Sequence, residues 1–233
     1  QALTADTLGS RSIAIGHGAL ETQNFTTATD SYNVAMGFKA GNAVTTGTTN
    51  TLIGGLAGDA ITTGTNNVAI GYLALSTEDA HGSNVAIGRQ ALENQNAGAE
   101  GYNVAIGSLA GNDITTGVAN ILIGAFAGDA LTDADENTAL GYQALSADTL
   151  GSKSVAIGRA ALNAQNFTTA TSTYNTAVGY YAGLAVTTGV QNTLIGASAG
   201  DALTDADYNV ALGYFALGAD TLGSRSTALG YAA

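Results

Sequence analysis

The sequence predicts an all-β chain, a parallel β-solenoid or β-roll of about 13 coils of 17 residues, and three observations lead there. A five-residue phrase, Asn/Ser-x-Ala/Leu-aliphatic-Gly, runs from end to end, closing at Gly16, Gly37, Gly54, Gly71, Gly88, Gly107, Gly124, Gly141, Gly158, Gly179, Gly196, Gly213 and Gly230. Successive closing glycines lie 21, 17, 17, 17, then 19, 17, 17, 17, then 21, 17, 17, 17 residues apart, so the larger unit is a quartet of coils. The apolar runs are only about five residues long and glycine returns every few positions, which opposes helix.

The phrase itself is the strand. In Asn67-Val68-Ala69-Ile70-Gly71, Val68 and Ile70 point one way and Ala69 the other, so both faces are apolar and both need cover. Three and four residues past each glycine come Ala-Leu, Ala-Gly, Ala-Gly and Ala-Leu within a quartet, as at Ala19-Leu20, Ala40-Gly41, Ala57-Gly58 and Ala74-Leu75. This second half reads as a second strand, giving strand, turn, strand, turn per coil. Thr45-Thr46-Gly47, Thr62-Thr63-Gly64, Thr115-Thr116-Gly117 and Thr187-Thr188-Gly189 read as corners at which glycine supplies a positive φ.

One coil covers only one face of its own strand. The other face needs a sister chain, so a homo-oligomer is expected; three chains packed around a common axis would bury the apolar stripe that an isolated chain exposes. The whole is one repeat domain over 1–233, built of three four-coil units at about 12–83, 84–153 and 154–225 and expected to be incomplete at both ends.

Composition narrows the partners. There are 32 glycines and no proline, tryptophan or cysteine, which suits an elongated repeat better than an ordinary globule and rules out disulfide staples. Acids outnumber bases 18 to 6, and the net charge of −12 disfavours nucleic acid and anionic membrane.

Ser12-Ile13-Ala14-Ile15-Gly16, Asn84-Val85-Ala86-Ile87-Gly88 and Ser154-Val155-Ala156-Ile157-Gly158 resemble the head repeats of YadA-like trimeric autotransporter adhesins. Asn137-Thr138-Ala139-Leu140-Gly141-Tyr142-Gln143-Ala144-Leu145 is similar to repeats of phage tail fibres and large bacterial surface proteins. The resemblance implies a left-handed, homotrimeric roll forming the shaft or head of an extracellular fibre, on a cell surface or a virion, that attaches to a surface. The 17-residue coil is longer than is usual in the adhesin heads, and the insertions that open each quartet are a further departure. Expected partners are further copies of the chain and a cell-surface glycan or protein.

Ten phrases open with asparagine, at Asn33, Asn50, Asn67, Asn84, Asn103, Asn120, Asn137, Asn175, Asn192 and Asn209, and stacked asparagines can bond along a ladder. Together with glycines such as Gly71, Gly141 and Gly213 they are expected to be structural. Each quartet opens with an extended coil, Glu21 to Tyr32, Glu93 to Tyr102 and Asn163 to Tyr174, expected to bulge outward. Phe25 and Phe167 lie in the longer two, as recognition residues or as a lid over the core. Tyr72, Tyr142 and Tyr214 follow the fourth glycine of each quartet, where rings either stack on sugars or pack over neighbouring turns.

Asp129, Asp133 and Asp135, echoed by Asp201, Asp205 and Asp207, are candidate calcium ligands or simply solvated turns, since neither trio supplies six to eight oxygens. No other cofactor is expected. Asp6, Asp148 and Asp220 each precede a base by five residues and are read as exposed pairs with Arg11, Lys153 and Arg225. His17 and His81 lie in unrelated copies, no nucleophile sits beside a base, and an enzyme is not expected; a glycan-cleaving or ice-binding solenoid is the remoter alternative.

Overall fold

The computed structural model describes residues 1–233 and is all-β, with no helix long and apolar enough to cross a membrane. It falls into two compact units, Gln1–Val118 and Ala119–Ala233. In the first, strands Ile13–Ile15, Val34–Met36, Thr51–Ile53, Val68–Ile70, Val85–Ile87 and Val104–Ile106 pair in parallel, each with the next. In the second the series is Ile121–Ile123, Thr138–Leu140, Val155–Ile157, Thr176–Val178, Thr193–Ile195, Val210–Leu212 and Thr227–Leu229. Register is one to one throughout: Ala69 lies opposite Leu52 on one side and Ala86 on the other. The expected solenoid is therefore present, one strand of each phrase per coil.

The second half of the coil is not a strand. It is a run of turns held by residues in the left-handed region, such as Leu20 (φ 47°), Leu75 (φ 51°) and Leu162 (φ 49°). Such conformations cost a non-glycine residue about 1–2 kcal/mol, and coil-to-coil bonding holds them in place. Leu20 N–H donates to Ala40 O at 3.1 Å and Leu75 N–H to Ala91 O at 3.0 Å, so the ladder continues without extended backbone.

The Leu/Gly alternation has a packing cause. Leu52, fully buried, fills the space above two glycines: a Cβ on Gly41 would lie 2.6 Å from its Cδ1, and one on Gly58 2.7 Å from its Cδ2. Leu194 stands in the same way against Gly183 and Gly200. In the first and fourth coils of a quartet the strand centre is alanine, as at Ala156 or Ala69, and the turn brings the bulk instead, through Leu162 or Leu75. The core is thus filled by trading volume between the two halves of a coil.

The corner glycines also differ from expectation. Gly47, Gly64 and Gly189 do not take positive φ; a Cβ on them would strike the next coil's backbone, 2.4 Å from Gly64 O, 2.3 Å from His81 O and 2.3 Å from Ala206 O. Close stacking, not conformation, demands glycine there, while positive φ falls on the phrase-closing glycines, such as Gly71 at 139°.

The asparagines form the anticipated ladder, buried throughout. Asn50 N–H donates to Asn33 Oδ1 (2.9 Å), Asn67 N–H to Asn50 Oδ1 (3.0 Å), and Asn192 N–H to Asn175 Oδ1 (2.9 Å). Except at Asn84, the Nδ2 groups reach a corner carbonyl fourteen residues on, Asn50 to Gly64 O and Asn137 to Gly151 O, both at 2.9 Å.

Candidate functional site

The outer face of the strands is left open to solvent. Second and fourth positions of the phrase project outward, with Ile13 50% and Ile15 53% exposed, and Met36, Ile121, Leu140, Val210, Leu212 and Leu229 also exposed. Every fourth position is aliphatic or methionine, every second is aliphatic or threonine, and none is charged, although 24 of the 233 residues are Asp, Glu, Lys or Arg (18 + 6). In each unit these residues line up coil over coil, so each carries an uncharged apolar stripe.

Phe25 and Phe167 require a correction: they are 5% and 7% exposed, so they close the core as a lid and offer no surface for recognition. The extended coils do not bulge as a whole. Gln23, Phe25 and Ser31 turn inward, as do Gln165, Phe167 and Thr173, while the tips 26–28 and 168–170 and side chains between the inward ones, such as Asn24 and Asn166, are open to solvent. Ser31 and Thr173 donate to Ser10 O and Ser152 O, next to short extra strand pairs, Gly9–Ser10 with Thr29–Asp30 and Gly151–Ser152 with Thr171–Ser172. Sequence reasoning missed this because a length insertion marks where a coil departs from period, not which of its side chains turn in.

Under each extended coil lies a buried polar cluster. Beneath the third, Asp148 accepts from Gly151 N–H (3.1 Å), Phe167 N–H (3.0 Å) and Gln165 Nε2 (2.5 Å); Gln165 Nε2 also donates to Ser154 Oγ (2.9 Å), and Asn175 Nδ2 donates to Gln165 Oε1 (2.8 Å). Beneath the first the same set recurs, part-buried, with Asp6, Gly9, Gln23, Ser12 and Asn33. Burial pushes the Asp6 carboxyl up, but the bonds from Gln23, Gly9 and Phe25 outweigh that and hold it below the ordinary aspartate range.

The place beneath the second extended coil departs from this arrangement. Glu78, fully buried, stands where Asp148 stands, and His81 where Gly151 stands. Glu78 Oε1 accepts the His81 backbone N–H at 3.1 Å and lies 3.7 Å from His81 Nδ1. Glu78 Oε2, His81 Nδ1, Asn84 Nδ2 and Gln95 Nε2 are all buried with no hydrogen-bond partner in the chain. Burial pushes the Glu78 carboxyl above the ordinary glutamate range, opposed by the His81 N–H and ring. Its native pKa is raised, so the folded state binds more protons than the unfolded one between the ordinary value and the raised one. Stability attributable to Glu78 should therefore fall as pH rises through that window. Melting curves of metal-free protein and Glu78→Gln, compared across pH 4 to 8, check this: the native protein should lose ground to the variant with rising pH.

Of the predicted acidic turns, Asp207 Oδ1 accepts Val190 N–H at 2.8 Å and Asp135 N–H donates to Ser152 Oγ at 2.9 Å, both acting as coil-to-coil links. The trio whose ligand atoms come within 4.8 Å of one another is Glu78, Asp79 and His81. Lining up the three quartets residue by residue reveals the signal, a histidine where the others carry glycine and a glutamate where they carry aspartate.

The bases do not pair five residues back. Arg11 pairs with Asp30 at 3.2 Å and lies over Tyr32; Lys153 lies over Tyr174 and Arg225 over Tyr208. Arg159 donates to Tyr180 Oη (2.8 Å) and Tyr181 Oη (2.6 Å), and its guanidinium also faces Tyr142. Tyr72, Tyr142 and Tyr214 are exposed, yet each leans on a neighbour: Tyr72 on Gly55 (3.5 Å to an added Cβ), Tyr142 edge-on to Phe126, Tyr214 stacked on Tyr231.

Regular parallel coils, an internal asparagine ladder and one apolar outer stripe define the class: a β-solenoid repeat protein. Comparison with family models, with curated proteins and with solved structures finds no match for this chain.

Proposed function

We propose that the chain is a structural and adhesive segment of an extracellular homotrimeric fibre, a left-handed roll whose sister chains meet through the uncharged stripe. The observation that carries this reading is the stripe itself: aliphatic side chains at every fourth position of the phrase, outward-facing and free of charge, in a protein of net charge −12. Burying such side chains contributes about 25 cal/mol per Å² removed from water, and leaving them open invites uncontrolled association. Attachment then works by multivalency: weak contacts by exposed aromatics such as Tyr72, Tyr142 and Tyr214, repeated by quartet and again by chain, hold a glycan or protein surface collectively. A bacterial surface fibre and a phage tail fibre use the same physics.

Light scattering on the purified chain tests it. A mass of 69.0 kDa (3 × 23.0) is expected, and Ile70→Asp with Ile87→Asp should shift the population to 23.0 kDa with the β-rich spectrum retained. A folded, monodisperse monomer at micromolar concentration would refute the assembly.

A further inference from the structure

The place beneath the second extended coil differs from its two counterparts. Beneath the first and third extended coils a short aspartate closes the turn by accepting the glycine N–H, Asp6 from Gly9 at 2.8 Å and Asp148 from Gly151 at 3.1 Å, and its other oxygen accepts a glutamine Nε2. Glu78 makes the same turn bond to His81 N–H, but its chain is one methylene longer and its second oxygen bonds nothing in the protein. Gln95 Nε2, the donor that aspartate would have satisfied, is left unpaired too. Asn84 replaces the serine of the other quartets and leaves Nδ2 unpaired; an added Cβ on Gly101 would lie 2.1 Å from its Oδ1 and 2.3 Å from Gln95 Nε2. Gly101 in turn donates to Gly82 O at 3.1 Å, beside His81. Buried polar groups are nearly always bonded, so four orphaned atoms around one turn point to a missing occupant.

We propose that Glu78, Asp79 and His81 bind one divalent cation of the zinc class, through His81 Nδ1 and one oxygen of each carboxylate. The three donor atoms already lie within 4.8 Å of one another, and His81 Nδ1 is 3.7 Å from Glu78 Oε1. A tetrahedral site with bonds of about 2.0–2.2 Å places its ligands roughly 3.3 Å apart, so a small inward shift of side chains completes it. One imidazole and two carboxylates suit zinc and its neighbours, whereas calcium asks for six to eight oxygens. Water takes the fourth position, and the free Asn84 and Gln95 N–H groups are donors for the ligating oxygens, the outer-shell support such sites use. The cation neutralises a buried carboxylate and fastens the turn of the fourth coil under the extended coil that follows.

Chelator-treated full-length chain titrated with zinc chloride alone should bind one equivalent per chain. His81→Gly and Glu78→Asp install the residues that the sister quartets carry, so both should fold, and each should weaken binding about ten-fold or more. His17→Asn should bind as the native chain does. A second measurement needs no variant: long-range 1H–15N spectra should show His81 Nδ1 shifting on zinc addition while His17 stays in place. Absence of saturable binding, equal affinity in His81→Gly, or an unmoved His81 ring would each overturn the site and leave ordered water as the occupant.

Discussion

Gly141→Ala is expected to destabilise the chain by more than about 4 kcal/mol, or to stop the second unit from folding. Gly141 sits at φ 142°, and an added Cβ would lie 2.4 Å from Gly158 O and 2.6 Å from Gly158 C. Those atoms are backbone in the next coil, fixed by Gly158 N–H donating to Leu140 O at 2.7 Å, so nothing nearby can swing aside. Two other glycines separate the causes. Gly98, at φ 68° with open space around it, should lose only about 1 kcal/mol on becoming alanine, the conformational part alone. Gly55, with ordinary φ and its nearest atom 3.5 Å away in Tyr72, should change by less than about 0.5 kcal/mol. Urea unfolding followed by circular dichroism gives all three, and equal losses would show that coil-to-coil clash is not the cause.

Asn50→Leu should cost about 2–6 kcal/mol, because it leaves two buried groups unsatisfied at about 1–3 kcal/mol each. Asn50 Oδ1 accepts Asn67 N–H at 3.0 Å and its Nδ2 donates to Gly64 O at 2.9 Å, so one side chain ties its own coil to the next at two points. Leucine is close in size but offers neither group. Asn24, exposed and with its side chain accepting only from Thr7 Oγ1, is the comparison; Asn24→Ala should stay within about 0.5 kcal/mol. Thermal melts that fail to separate the two variants would remove the ladder from the account of stability.

Much of this was legible in the residues. The phrase placed each three-residue strand of the main parallel series, though not the two short extra pairs, and the asparagine at its head pointed to the ladder that Asn33, Asn50 and Asn67 form. The alternating Leu and Gly after Ala57 or Ala74 was visible as a pattern but not as a cause, because Leu52 meets Gly41 and Gly58 only after the coils stack. Reading that half as a strand failed for a related reason: apolar alternation also suits a turn whose residues adopt left-handed φ, as Leu20 and Leu75 do. For Phe25 and Phe167 the insertions left recognition and a lid over the core both open, which burial decides for the lid, and the polar clusters beneath them left no mark in the pattern.

The sequence alone determined the period and the in-register parallel stacking, while the structure decided which strand residue faces in. Identical coils interact position by position, so a one-dimensional repeat already contains those pairings. Tertiary structure decided what happens where the period breaks. The fate of the extended coils, the exchange of volume between Leu52 and its glycines, and the meeting of Glu78, His81, Asn84 and Gln95 depend on distances between unlike segments, which no repeat pattern encodes.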